Sequence, residues 1–306
     1  MAALLCRRSL PRTWLCRRAG QGCGRHYRAA LCAELKQPLA IEEVARRPVR
    51  PHETLWRVPE KVSLQEAAVL PVSYGTAISA LEHRAHTQPG ETVLVTAAAG
   101  ATGLAVIDVA TNVLQAKVIA AAGSDDKCKL AVQRGAQGSV NYSQGSLKEA
   151  VRRLVGSRGV DVAIDMVGGE VFLEALRSLA WEGRIVVLGF AGGNIASVPA
   201  NLLLLKNISA MGLYWGRYQD QDFPLFSRSL SSALQYCQQG RIRPYVGSVF
   251  KLEEVNDAFL HVIQRKSTGK ETCSGSLWLA RCSSEPWNQH WTMAVILLSL
   301  FSSPCL

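Results

Sequence analysis

Between Glu91 and Ala110 the chain carries residue types whose order suits one kind of chemistry, the holding of a diphosphate. An apolar, β-prone run from Thr92 to Thr96 leads into a turn of small residues, Ala97 to Gly103. An apolar helical pattern follows with Leu104, Ile107 and Val109. Strand, glycine turn and helix in that order is the setting in which a G-x-G-x-x-G fingerprint has meaning. Its three slots here hold Ala98, Gly100 and Gly103. Alanine in the first slot keeps a tight turn within reach, Gly100 lets the main chain come close to a pyrophosphate, and Gly103 lets the helix pack close to the sheet. The unpaired amides of the first helical turn, Thr102 among them, then face the phosphates with the positive end of the helix dipole behind them.

The end of the next strand decides between two nucleotides. A site for NAD usually places a carboxylate there to hold the ribose hydroxyls. This strand ends Ala120-Ala-Ala-Gly123, and Ser124 and Lys127 follow. A hydroxyl and a cation suit a 2′-phosphate, which a carboxylate would repel, so NADP(H) is the expected cofactor. Asp125 and Asp126 leave two roles open. They either favour the start of the following helix or reach a ribose. Elsewhere the reactive residue types are dispersed. His83 and His86 lack a third ligand and read as a solvated helix face. The nine cysteines form no Cys-x-x-Cys pair and read as free thiols of a reducing compartment, and no metal is expected.

The elements that must carry these residues follow from periodicity. Apolar strands are expected at 92–96, 117–121, 139–141, 160–165, 184–188 and 208–213. They alternate with helices at 103–114, 125–134, 147–154, 170–179 and 225–238. Such alternation implies a parallel sheet covered on both faces, an α/β doubly wound Rossmann arrangement. Capping boxes at Ser63-Leu-Gln-Glu66 and Ser146-Leu-Lys-Glu149 mark two helix starts, and Gly135 and Gly156 mark stops. Pro71 divides the region before the first strand into two expected helices. Two strand-like runs, 29–33 and 39–44, suggest a β-hairpin, and 243–250 and 252–263 read as a strand and a helix.

The chain has 306 residues, 48% apolar and 19% charged, a globular balance. The net charge of +10 is concentrated: seven arginines precede the first acid, Glu34, and without them about +3 remains. No basic stripe with interleaved aromatics is left, so nucleic acid is not an expected partner. Residues 1–32 have the composition of a mitochondrial transit peptide, which implies the matrix. The apolar run 293–301 is too short to span a bilayer.

Several segments, in order, resemble one family. Pro71-Val-Ser-Tyr-Gly-Thr-Ala77, Thr96-Ala-Ala-Ala-Gly-Ala-Thr-Gly103, Ala122-Gly-Ser-Asp-Asp-Lys127, Val140-Asn-Tyr142 and Val187-Leu-Gly-Phe-Ala-Gly-Gly193 resemble the zinc-free quinone oxidoreductases. These form the zeta-crystallin-like branch of the medium-chain dehydrogenase/reductase superfamily. The resemblance spans roughly Tyr27 to Lys270. It implies NADPH-dependent, two-electron reduction of a small quinone or enone. It places the pyrophosphate over Gly100 to Gly103, puts Ser124, Lys127 and Tyr142 around the 2′-phosphate, and sets Thr76 and Phe190 beside the nicotinamide. No catalytic side chain is assigned and no zinc is implied, since the Gly-His-Glu motif and the cysteine-rich lobe are absent. Relatives of this kind pair as homodimers through the edge strand, here 208–213.

The chain departs from that family at two places. Relatives carry a β-rich, GroES-like domain ahead of the cofactor domain, and here only its opening hairpin is recognisable. The expected organisation is therefore a transit segment 1–32, a GroES-like remnant 33–57, and an NADP-binding Rossmann domain 58–240. A segment 241–270 then returns to the remnant, and 271–306 is an atypical tail expected to be disordered. The tyrosines that face substrate in relatives have no counterpart, so a cofactor-binding but catalytically inactive variant stands beside the oxidoreductase as a second reading.

Overall fold

The computed structural model describes residues 5–6, 26–32, 38–45 and 56–274. The rest of the segment expected to be a transit peptide and the tail from 275 onward lie outside that range. The chain divides into two compact units. One comprises 61–247 with 268–270, and the other comprises the remaining residues.

The larger unit is built on a six-stranded sheet. Its strands are β4 (Thr92–Val95), β5 (Lys117–Ala122), β6 (Gly138–Asn141), β7 (Val160–Asp165), β8 (Leu179–Val187) and β9 (Ser209–Gly212). The order is β6-β5-β4-β7-β8-β9 and every pair is parallel. Valine, isoleucine and alanine fill both faces of β4, β5 and β7, and nearly all are inaccessible to solvent. That is the pattern of a sheet covered by helices on both sides. The order of strands reverses between β4 and β7, which opens a crevice at their carboxyl ends. The doubly wound reading is thus the observed fold.

The helices of this unit are α1 (Leu64–Ile78), α2 (Ala101–Asn112), α3 (Asp125–Gln133), α4 (Leu147–Val155), α5 (Gly169–Arg177), α6 (Ala200–Lys206), α7 (Tyr218–Gln221) and α8 (Phe223–Gln238). The Ser63 capping box is formed. The Ser63 hydroxyl accepts from the Glu66 amide, and Glu66 Oε2 accepts from the Ser63 amide at 2.8 Å. Several expectations change. Pro71 does not divide the region into two helices. It lies buried within α1, which continues into a π-helical turn, Ser79–Arg84. A proline removes one amide, and burial of Val69, Leu70, Tyr74 and Ile78 along the helix outweighs that single loss. At Ser146 only half of the expected box forms. The hydroxyl accepts from Glu149 N–H, but the other carboxylate is Glu174 of α5, which accepts from the amides of Leu147 and Lys148. Leu179, expected to end a helix, begins β8. Helix α6 was not anticipated at all.

The smaller unit contains β1 (Leu5–Cys6), β2 (His26–Cys32), β3 (Ala40–Ala45), β10 (Val246–Lys251), a 3₁₀ turn at 252–254, α9 (Val255–Ile263) and β11 (Lys270–Ser274). β2 and β3 form the expected antiparallel hairpin, with Tyr27 opposite Val44. The strand β2 starts at His26, inside the segment expected to be a targeting sequence. Leu39 and Asn256 exchange two hydrogen bonds, 2.8 and 3.1 Å, and Leu252 and Val255 pack on Leu39, Ile41 and Cys273. Residues 271–274, expected to be structureless, pair as β11 with β10.

Candidate functional site

The site is assembled at the carboxyl edge of the larger unit's sheet. As β4 ends, the Thr96 amide donates to Ile164 O on β7 at 3.1 Å. The chain then turns sharply. The residue in the left-handed region is Ala97, with φ of +46°, and not a glycine. Ala98 lies within this turn, as expected, and is wholly buried, its amide donating to Ala121 O at 3.0 Å. The turn thus stores a modest strain at Ala97.

Gly100 caps α2 without a side chain, at φ −76° and ψ 170°. Leu104 makes the helix's first backbone bond, to Gly100 O at 2.9 Å. The amides of Ala101, Thr102 and Gly103 precede that bond, so they are the open donors of the helix start. α2 therefore begins two residues earlier than expected, which brings Thr102 and Gly103 into its first turn. Gly103 has no room for a side chain, since a Cβ would press on Ala97 O and sit 2.8 Å from Ala98 Cα. Gly100 is different: a Cβ there would meet only Ala97 O, at 3.3 Å, and otherwise open space. One glycine thus serves internal packing and the other leaves the approach to the helix start clear.

Behind the turn, α1 is fixed to α2. The Tyr74 hydroxyl donates to Asp108 Oδ2 at 2.6 Å, and the Arg243 amide and Asn112 Nδ2 donate to the same carboxylate, both at 2.8 Å. Burial, with Asp108 beside it, drives the Tyr74 pKa far above the usual phenol range. This network holds Thr76, half-exposed on α1, in a fixed position. Its neighbour Gly75 lies directly under the Trp215 indole, where a Cβ would be 2.6 Å from ring carbons.

Across the crevice, Asp165 ends β7 without solvent access. Its Oδ1 accepts from Thr96 Oγ1 at 2.7 Å, and its Oδ2 from the Gly168 amide at 2.9 Å. Thr96 Oγ1 in turn accepts from the Met166 amide at 2.9 Å. Burial raises the Asp165 pKa against these hydrogen bonds. This clamp, missed in sequence because its halves are 69 positions apart, stitches β4 to β7 where the strand order reverses. The loop after β8 is laid over it: the amides of Ala191 and Gly192 donate to Met166 O and Val167 O at 2.8 and 2.9 Å. Phe190 stands out from that loop, 46% exposed, against Gly168.

The corner expected to choose the nucleotide lies at the ends of β5 and β6. Ser124 caps α3 and accepts from the Lys127 amide at 3.4 Å, so both residues share one helical turn. The Tyr142 ring lies 3.5 Å from the position of a Gly123 Cβ, which sets it against the same turn. Asp125, whose role was open, is occupied. Its carboxylate accepts from Asn141 Nδ2 at 2.7 Å and from Gln144 Nε2 at 3.1 Å, and these bonds lower its pKa. Asp126 pairs with Lys129 at the surface.

One contributor was not anticipated. The amide of Gly269 donates to Ala99 O at 2.8 Å, and residues 269 and 100 form a parallel bridge. Lys270 returns a hydrogen bond to Tyr245 O, and burial lowers its side-chain pKa. The sequence signal is Thr268-Gly-Lys270, at the end of the stretch that resembles the family. Ala98, Gly100, Thr102 and Gly103 are therefore brought into one turn, and Ser124, Lys127 and Tyr142 into one corner an adjacent strand away. Phe190 is on the far side of β7 and Thr76 on the helix behind. Among the described residues no three of His, Cys, Asp or Glu gather as metal ligands, and no helix is long and apolar enough to cross a membrane.

Comparison with known proteins agrees with this geometry. Residues 101–232 match the family model described as zinc-binding dehydrogenase. Quinone oxidoreductase-like protein 2 of Rattus norvegicus is 63% identical over 344 positions, covering 88% of this chain and 98% of the rat protein. Since 344 exceeds the 306 residues available, that relative has stretches without a counterpart here. Quinone oxidoreductase of Thermus thermophilus, solved alone and with NADPH, is 34% identical with a TM-score of 0.62, over 69% of this chain and 67% of that one. A mycobacterial protein complexed with NADPH is 27% identical with a TM-score of 0.66, over 71% of this chain and 66% of its own.

Proposed function

The chain belongs to the quinone oxidoreductase-like branch of the medium-chain dehydrogenases/reductases, and from that premise we propose that it binds NADP(H) and reduces a small quinone or activated alkene. The observation that carries the reading is the turn at 97–103. Gly103 is fitted closely to Ala97 and Ala98, and the amides of Ala101 to Gly103 precede the first hydrogen bond of α2. Those amides and the dipole of α2 would hold the diphosphate. Ser124, Lys127 and Tyr142 would hold the 2′-phosphate, while the Asp125 carboxylate, still charged, is engaged by Asn141 and Gln144. NADP(H) thus fits the residues present. When bound, its reduced nicotinamide would supply a hydride to the quinone, and solvent the single proton that completes the hydroquinone.

The chain's own task is positioning. Tyr74 and Asp108 anchor α1, so that Thr76 stays at a fixed place on one border, while the Asp165 clamp and the loop with Phe190 form the other. Hydride transfer needs such alignment more than a charged acid or base. The leading arginine-rich segment supports delivery to the mitochondrial matrix. The exposed edge strand β9, with Leu204 and Leu205 exposed on the adjacent α6, supports pairing with a second copy.

Titration of the full chain with NADPH, followed by its absorbance in the presence of a benzoquinone, tests the proposal. Saturable binding with quinone-dependent oxidation is expected. A second reading, a nucleotide-binding protein without turnover, draws on the stretches of the rat relative that have no counterpart here, and binding without oxidation would select it. Failure of the folded chain to bind NADPH would end both.

A further inference from the structure

A cavity of about 270 Å³ lies in the larger unit between the π-helical turn Ser79–Arg84 and α8, beyond the end of α1. At roughly 30 Å³ per water, it has room for a molecule of several heavy atoms. Ile78 and Leu225 give it an apolar wall, and Glu82, His83, His86 and Arg228 bring charge or potential charge to its rim. None of these residues belongs to the nucleotide site.

Three features mark the cavity as more than a packing defect. Ser79 lines it and is 2% exposed, yet its hydroxyl has no hydrogen-bond partner among the described residues. A buried polar atom is rarely left unpaired. Arg84 Nε and Thr87 Oγ1, on the same stretch of chain but outside the cavity's lining, are unpaired as well. The π turn itself widens the helix at this point, a distortion frequent at binding sites. Finally, positive groups crowd together. Burial lowers the His83 pKa first, and the charges of Arg84, His86 and Arg228 lower it further, with only Asp222 opposing. The one acid on the wall, Glu82, takes the Tyr236 hydroxyl at 3.4 Å. Its pKa is raised by burial, against Tyr236, Arg228 and Arg241. Arg228 itself has no ion-pair partner among the described residues and is exposed at the rim.

We propose that this cavity binds a small organic anion, a carboxylate on a short apolar body. Arg228 and the Ser79 hydroxyl hold the carboxylate, and Ile78 and Leu225 cover the body. The site is made of side chains, unlike the diphosphate-binding turn at 97–103, and its occupancy does not require bound nucleotide.

A reporter is built into the wall. Ser229 lines the cavity, its hydroxyl accepts from Trp215 Nε1–H at 3.0 Å and it donates to Phe226 O at 2.7 Å. The indole N–H resonance of Trp215, assigned by Trp215→Phe, is therefore one hydrogen bond from any ligand. Sodium butyrate, titrated into the full chain without nucleotide at constant ionic strength, should move that resonance saturably. Butyramide, the same shape without charge, should bind at least about tenfold more weakly, since a charge-assisted hydrogen bond is about twice as strong as a neutral one. Arg228→Gln, at an exposed position that leaves folding intact, should reduce butyrate to the level of butyramide, and Ser79→Ala should weaken it less. Equal responses to butyrate and butyramide, an unchanged affinity in Arg228→Gln, or no saturable shift would each overturn the proposal. Inorganic phosphate binding as tightly as butyrate would overturn the role of the apolar wall.

Discussion

The two ends of the larger unit treat their polar atoms in opposite ways. At the carboxyl edge of the sheet, the buried polar side chains Thr96, Asp108 and Asp165 are all satisfied within the chain, and the surface left open at the start of α2 is bare backbone. At the π-helical end of α1, the polar atoms of Ser79, Arg84 and Thr87 are buried without partners, and the open space is walled by side chains. A site made of backbone tolerates few changes, because its shape is the fold. A site made of side chains can lose a group and keep the fold. Substitutions in the backbone turn at 97–103 should therefore disturb stability and binding together, whereas those at the second end, like those of the side chains around the 2′-phosphate, should disturb binding alone.

Gly103→Val tests the first half most severely. The new branched side chain would meet Ala97 O and the Ala98 backbone, which cannot yield without moving β4. A loss of about 2–3 kcal/mol in denaturant unfolding is expected, together with loss of NADPH binding. Full stability with binding lost would show the turn to be looser than its geometry implies. Lys127→Ala should weaken NADPH about tenfold, or ~1.4 kcal/mol, with a much smaller effect on NADH and none on unfolding. Equal losses for the two nucleotides would detach Lys127 from the 2′-phosphate.

Asp165 supplies a pH-dependent test. Its folded pKa is raised by burial, so the native state holds a proton more tightly than the unfolded chain. Its contribution to stability is full below the ordinary carboxylate value, about 3.9, and is lost as pH rises through the raised folded value. Asp165→Asn should remove that decline, so unfolding curves measured at a series of acidic to neutral pH values should converge for the two proteins at low pH and separate as pH rises. Parallel curves would contradict the assignment. The smallest effect is expected at Ala97→Gly, where relief of the left-handed backbone is partly offset by glycine's greater freedom when unfolded. A change within ~1 kcal/mol is anticipated, with nucleotide binding retained.

What the sequence conveyed of this comparison depended on range. The Ser63 capping box, the glycines at 100 and 103, and the alternation of apolar strands with helices are local signals, and all were legible. Their positions give the six strands and a doubly wound arrangement, while the strand order, and with it the switch point, comes from the structure. Contacts that join distant segments were not. Thr96 meets Asp165 across 69 positions, and Glu174 caps α4 from α5, because the topology brings them together after the local elements form. Gly269 reaches Ala99 from the far end of the unit in the same way. Pro71 misled for a physical reason, since local propensity against proline is weaker than burial of the helix face it interrupts. The strain at Ala97 carried no signal either, because alanine has no special liking for a left-handed turn. The role of Asp125 stayed open until Asn141 and Gln144 were seen on its carboxylate.

The most direct measurement follows the backbone amides of Ala101, Thr102 and Gly103 by ¹H–¹⁵N correlation as NADP⁺ is added to the full chain. The account predicts large, saturable shifts at those three amides, shared with the corner at Ser124 and absent from the cavity beside Ser79. Saturable binding that leaves the three amides unmoved would contradict it.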